Sequence, residues 1–276
     1  MSQIMCNKSY FSLTSLKIDL YFDTKFLSTA TWFIIQVNWE YILVTNYHVL
    51  SWRHFETWKS LSIQSSIPNK VAIWHHIRER PWYYKKVFED LIDSDGKELF
   101  LDWKKIGNCD VALLKIKNIP SDISIYDIDY INHKSLDVQF FPGQPLLIAW
   151  FPYWLSSYSL MPIWKSGILA SEMDFDFKWF NCFLVDAWTR GWMSWSPVFV
   201  YFNNWAYTLK DWTQILRSEN LYKFLWIYSS RLCIPSDERT KLWEDNCKQL
   251  DSLGSDIWQV WKESNIDILL KYTIDF

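Results

Sequence analysis

Three side chains far apart in the sequence have the types needed for acyl chemistry. They are His48 in YILVTNYHVL, Asp110 in NCDVALLKI and Ser194 in RGWMSWSPVFV. A serine hydroxyl is a weak nucleophile until a neutral imidazole takes its proton. A carboxylate then fixes the tautomer of that imidazole and stabilises its charged form. Taken singly, each residue has an ordinary use. A histidine near a strand end usually sits at the surface or in a hydrogen bond, an aspartate before a strand caps a turn, and a serine before proline belongs to a loop. Ser196 is a second hydroxyl close to the first.

The elements expected to hold these residues are short strands. Around Ser194 a small-residue turn is closed by Pro197, and Val198-Phe199-Val200 starts an apolar run. His48 follows the hairpin pattern that begins at Trp32, with runs Phe33 to Val37 and Tyr41 to Val44 joined at Asn38-Trp39. Asp110 opens the clearest strand, Asp110 to Ile116. Val71 to Ile73, Tyr83 to Phe88 and Leu99 to Leu101 add strands to the first half, and Asp95-Gly96 marks a turn. Asn118 to Asn132 reads as a linker. Pro145 to Ala149, Ser166 to Ala170, Phe183 to Val185, Pro197 to Phe202 and Phe224 to Tyr228 repeat the style. Ser236 to Leu250 and Ile257 to Lys271 carry apolar residues at helical spacing. The expectation is an all-β chain with a C-terminal helix: an N-terminal barrel over 1–125, a C-terminal barrel over 126–235 and a helical tail over 236–276.

Composition narrows the function. A net charge of −3 with no basic cluster gives no footprint for nucleic acid or an anionic membrane. The five cysteines are scattered without a C-x-x-C pair, which reads as free thiols in a reducing compartment. No signal peptide is visible at the N-terminus, and the most apolar segment, Phe140 to Leu155, is broken by prolines and too short to span a bilayer. The expected setting is cytoplasmic. His54, His75 and His76 lack partners at ligand spacing and read as exposed loop residues, so neither metal nor cofactor is expected. Asp93 to Gly96 is too short for a calcium loop.

The local strings resemble those of the trypsin-like, chymotrypsin-fold serine proteases, in the order His, Asp, Ser. TNYHV is similar to the T-N-x-H-V around the base, DVALL to D-[VL]-A-[LV]-L around its orienter, and GWMSWSP to G-x-S-G-[GS]-P around the nucleophile. Val185-Asp186-Ala187 resembles the lead-in of bacterial members of the high-temperature-requirement type, and Phe224 to Tyr228 resembles the F-x-G-I-x strand that pairs with substrate. The resemblance covers about Thr31 to Ser230. It implies a chymotrypsin-like double β-barrel and a serine endopeptidase acting on a polypeptide substrate. His48, Asp110 and Ser194 would form the triad, with the backbone N–H groups of Trp192 and Ser194 as the oxyanion hole. Trp188, Trp226, Ile227 and Tyr228 would meet substrate. Position 188, six before the serine, is acidic in trypsin-type sites; tryptophan there argues against a preference for basic side chains. The rivals are a pseudoprotease of the same fold that binds extended peptides without cleaving them, and a tryptophan-rich β module stacking sugars on one open face.

One feature of composition conflicts with this chemistry. Average usage of about 7% would give roughly 19 glycines. The chain has 6, alongside 20 tryptophans. Turn pairs expected as Asn-Gly, Asp-Gly or Pro-Gly read Asn38-Trp39, Asn204-Trp205, Asp211-Trp212 and Pro81-Trp82. Within the family strings, Trp32, Trp52, Trp150, Trp154, Trp192, Trp195 and Trp226 stand where the resemblance asks for glycine. Trp164, Trp188 and Trp261 do not. The pattern is that of a gene whose UGA codons mean glycine, written out with UGA as tryptophan.

Overall fold

The structure, a computed structural model, describes residues 10–55, 58–61, 67–101, 109–129, 137–151, 161–177, 179–187, 196–202, 207–216, 221–231 and 257–271. These form two antiparallel β units in chain order. The first contains β1 (Ser15–Phe22), β2 (Lys25–Val37), β3 (Glu40–Thr45), β4 (Lys70–Ile77), β5 (Arg80–Asp90), β6 (Phe100–Leu101), β7 (Ala112–Lys115) and β8 (Ile123–Ser124). Its eight strands run in the order β5-β4-β1-β2-β3-β7-β6, with β8 laid against β4. A short helix α1 (Tyr10–Thr14) precedes β1, and α2 (Tyr47–Ser51) follows β3 directly.

The strands start earlier than the sequence reading places them. Trp32 lies well inside β2 rather than before it, fully buried, and β1 pairs with the first half of β2 from Ser15↔Phe33 to Phe22↔Lys25. The signal for β1 was legible: Leu16, Ile18 and Leu20 alternate with Lys17 and Asp19. The β2–β3 hairpin closes as expected at Asn38 and Trp39, both with positive φ (49° and 66°), the geometry of a primed two-residue turn. The expected turn at Pro81-Trp82 is displaced. Both residues lie in β5, and the chain reverses at Arg78 and Glu79, with Glu79 at φ 63°. Proline suits an early strand position, where its missing N–H disrupts least.

The second unit is a closed barrel of six strands, β10-β11-β16-β15-β12-β9. They are β9 (Pro145–Trp150), β10 (Ile163–Leu169), β11 (Cys182–Asp186), β12 (Pro197–Phe202), β15 (Leu221–Arg231) and β16 (Ile257–Lys262); β13 (Tyr207–Thr208) and β14 (Gln214–Ile215) form a small ribbon beside it. The helical reading of 257–271 is half corrected. Residues Ile257–Lys262 are the barrel's sixth strand, and only α3 (Ser264–Lys271) is helix. The cause is burial on both faces of β16. Trp258 and Val260 enter the second unit's core, while Trp261 turns outward to the core shared with the first. Apolar residues at 257, 258, 260 and 261 imitate helical spacing for that reason. Ser236 to Leu250 lies outside the described residues.

The fold class is the expected one: all-β, with a closed six-stranded barrel in the second half and a helix near the C-terminus. The two units are welded by aromatic contacts. Phe33 meets Phe224 at 4.9 Å between ring centroids, and Phe11 of α1 meets Phe199 at the same distance. Such tilted and edge-on pairs add to the apolar burial that fixes one unit on the other. No described helix is long and apolar enough to cross a membrane.

Candidate active site

The β3–β7 ladder determines where the site forms. Pairing runs from Ile42↔Lys115 to Thr45↔Ala112, so the residues just beyond Thr45 meet those just before Ala112. His48 is therefore not at a strand end but in α2, the single turn of helix after β3, and Asp110 sits two residues before β7 begins. His48 Nδ1 lies 2.5 Å from Asp110 Oδ2, and the backbone N–H of His48 donates to Asp110 Oδ1 at 3.0 Å. The Asp110 side chain is 1% exposed and that of His48 19%. A carboxylate this deeply buried must be fully engaged by donors, and it is. Asn46 Nδ2 donates to Oδ2 at 3.1 Å, and Ser229 Oγ donates to the same oxygen at 3.1 Å.

Ser229 belongs to β15, so the second unit reaches across to complete the aspartate's environment. The carboxylate lies where the two units meet. With Nδ1 facing Asp110, Nε2 occupies the opposite edge of the imidazole, as a base serving a nucleophile requires. Sequence reasoning missed Ser229, whose position is fixed only by barrel packing. It also passed over the role of Asn46, although Asn46 stands inside the quoted TNYHV string.

Ser194, Trp192 and Trp188 lie outside the described residues. Ser196 is described and is fully buried, with its Oγ enclosed and its carbonyl accepting from Tyr228 N–H at 3.0 Å. A hydroxyl in that position has no path to a substrate. The expected substrate strand is also located. Trp226 pairs with Val198 and Lys262, Ile227 with Pro197 and Trp261, and Tyr228 with Val260 and Ser196, while the Ile227 and Tyr228 side chains are buried. Their backbone groups are committed on both edges, which leaves no open edge on which to add an extended peptide.

Among the described residues, the buried cysteines and His75 do not compete for the role of nucleophile or ligand. Burial pushes the thiols of Cys109 and Cys182 up to about 12, so both remain protonated and unreactive. His75 and His76, expected in exposed loops, are buried in β4 between β5 on one side and β1 and β8 on the other. Burial, and secondarily the charge of His76, pulls His75 down to about 4. No group of three or more metal-type ligands occurs among the described residues.

No family model and no curated protein sequence matches the chain. Among solved structures the chain is similar to the serine endoprotease from Yersinia pestis, at 11% identity and a TM-score of 0.49, over 97% of this chain and 67% of that one. It is also similar to a thermostable serine protease from an extremophilic microorganism, at 9% identity and a TM-score of 0.47, over 96% and 98% of the two chains. A third is the MamO protease domain from Magnetospirillum magneticum, at 11% identity and a TM-score of 0.44, over 92% and 94%. All three are proteases by name. At such low identity, what this chain does must be read from its own side chains.

Proposed function

We propose that the chain is a serine endopeptidase of trypsin-like, bacterial type, with His48 as base, Asp110 as its orienter and Ser194 as nucleophile. The observation that carries this is the 2.5 Å contact from His48 Nδ1 to a buried Asp110 carboxylate that also accepts a hydroxyl from the second unit. In the proposed reaction Ser194 Oγ attacks the scissile carbonyl carbon while its proton passes to His48 Nε2. The C–N bond then breaks, and the departing amine leaves with that proton. Water, deprotonated by the same nitrogen, hydrolyses the acyl ester and restores Ser194. The N–H groups of residues 192 and 194 serve the oxyanion. In this reading an extended substrate pairs beyond Tyr228; the support is the register shift of the β15–β16 ladder before Arg231.

The proposal includes recoding of UGA as glycine. Its support is backbone geometry: Trp39, Trp52, Trp58, Trp179 and Trp212 all have φ between 49° and 70°. That region is strained for a bulky residue and open to glycine. Gly96 and Gly143, two glycines written as such, take φ of 78° and 90°. The backbone at Trp32 and Trp150 is not at positive φ, and both side chains are buried in strands. Trp164 and Trp74 donate their indole N–H to Ser12 and Asp19, each at 2.9 Å, which marks them as working tryptophans. The stacking-module reading fares worse: the exposed Trp39, Trp179 and Trp212 occupy three separate turns.

A fluorophosphonate probe tests the enzyme reading. Labelling mapped to Ser194, and lost together with peptide turnover in Ser194→Ala, is the expected result. A glycine-restored chain that folds but neither labels nor cleaves would refute it and leave the peptide-binding pseudoprotease.

A further inference from the structure

We propose that Asn46 is a positioning residue for the His48–Asp110 pair, acting through an exchange of capping roles with Asp110; the inference deepens the protease reading and rests on it for its catalytic consequence. Asn46 is the N-cap of α2, with φ −79° and ψ 146°. An asparagine in that place ordinarily turns its side-chain oxygen onto the N–H of the second or third helical residue. Here it makes no such bond. Its amide instead reaches out of the helix, donating to the Asp110 carbonyl at 2.7 Å and to Asp110 Oδ2 at 3.1 Å. The N–H that the cap would have served is that of His48, and Asp110 Oδ1 accepts it at 3.0 Å. Asp110 thus caps the helix carrying His48, and the helix's own cap residue holds Asp110.

The exchange fixes three things at once. The Asp110 main chain is pinned through its carbonyl, its carboxylate is pinned through Oδ2, and its other oxygen is pinned to the backbone of the residue it must orient. The imidazole then meets Oδ2 with no rotation of the carboxylate left to set. Asn46 is wholly buried, and its own Oδ1 has no partner among the described atoms. A buried unpaired acceptor is unfavourable in itself. An asparagine serving only the helix would turn that oxygen to a helical N–H, so the geometry points to the amide donors as the function of this side chain. The two residues are 64 apart in sequence, brought together by the Thr45↔Ala112 register.

The test uses the full chain and two variants. Asn46→Asp keeps the shape but replaces the two donors with an oxygen facing two oxygens; Asn46→Ala removes the contact. The primary readout is the proton NMR resonance of His48 Nδ1–H, far downfield because of its short bond to a carboxylate, and independent of Ser194 and of turnover. The proposal expects that resonance to broaden out or move upfield in both variants while circular dichroism is unchanged. In the active enzyme kcat should fall about 10²-fold with KM within about twofold, the effect of misplacing a catalytic group by about an ångström. A parental resonance in either folded variant overturns the proposal. If neither variant folds, the parent decides by itself: freely exchanging Asn46 Nδ2 protons overturn the clamp, and protected, shifted ones support it. A parent that shows the resonance but neither labels with fluorophosphonate nor cleaves peptide removes the protease reading and leaves the clamp standing.

Discussion

Glycine should stabilise this chain at three exposed tryptophans and destabilise it at a buried one. Trp39, Trp179 and Trp212 are 92%, 98% and 71% exposed and have φ of 66°, 70° and 68°. Truncating them removes little buried surface. Relief of left-handed strain is worth about 1–2 kcal/mol per residue, offset by the roughly 0.4–1 kcal/mol that glycine's freer unfolded chain costs. Trp212 also leans on Phe141 at 6.3 Å, a contact whose loss removes most of its gain. The triple Trp39→Gly, Trp179→Gly, Trp212→Gly should therefore gain about 1–2 kcal/mol, raising the thermal midpoint by roughly 2–8 °C. Trp261 is the control. It is buried between Phe55 at 5.5 Å and Phe180 at 5.8 Å, both edge-on. Trp261→Gly should cost about 3–5 kcal/mol or more. Urea denaturation followed by circular dichroism reads both, with an unchanged m-value as the condition for comparing midpoints. A triple variant less stable than its parent would refute the strain argument. The gene offers a separate check: TGA is expected at 39, 179, 192, 195 and 212, and TGG at 164 and 261. TGG at 192 and 195 would end the recoding proposal.

Two further outcomes follow from the same geometry. His75 is buried neutral, its ring nitrogens without a partner among the described residues, and is held down to about 4 against about 6.5 in an unfolded chain. The unfolded state therefore binds the proton first. This residue costs nothing above pH 6.5, and stability falls by up to about 3 kcal/mol as pH drops from 6.5 towards 4; His75→Leu should flatten that slope, and an unaltered slope would count against it. Ser229→Ala removes one of the donors to Asp110 Oδ2 across the boundary between the units. Losing a hydrogen bond to a charged group at about 1.5–3 kcal/mol predicts a kcat lower by roughly 10–100-fold with KM little changed; a variant at parental kcat would show that the second unit does not help set the base.

The sequence by itself carried what depends on local pattern. Short continuous apolar runs mark β3, β4, β7 and β12, the pattern of strands buried on both faces. The primed turn at Asn38-Trp39 follows from two residues that must share positive φ, and His48 and Asp110 stand out because they lie in the recognisable local strings TNYHV and DVALL. What escaped was decided at a distance. β16 looked helical because its two faces are buried against different cores. His75 and His76 looked like loop residues until flanking strands covered them. Ser196, the rival hydroxyl two positions beyond the serine that the local string favours, is shut away by burial, and Trp226 to Tyr228, expected to meet substrate, are flanked by β12 and β16. Asn46 would cap its own helix in any local reading. Only the pairing of β3 with β7, strands whose paired residues run from Ile42↔Lys115 to Thr45↔Ala112, brings Asp110 close enough to take its place.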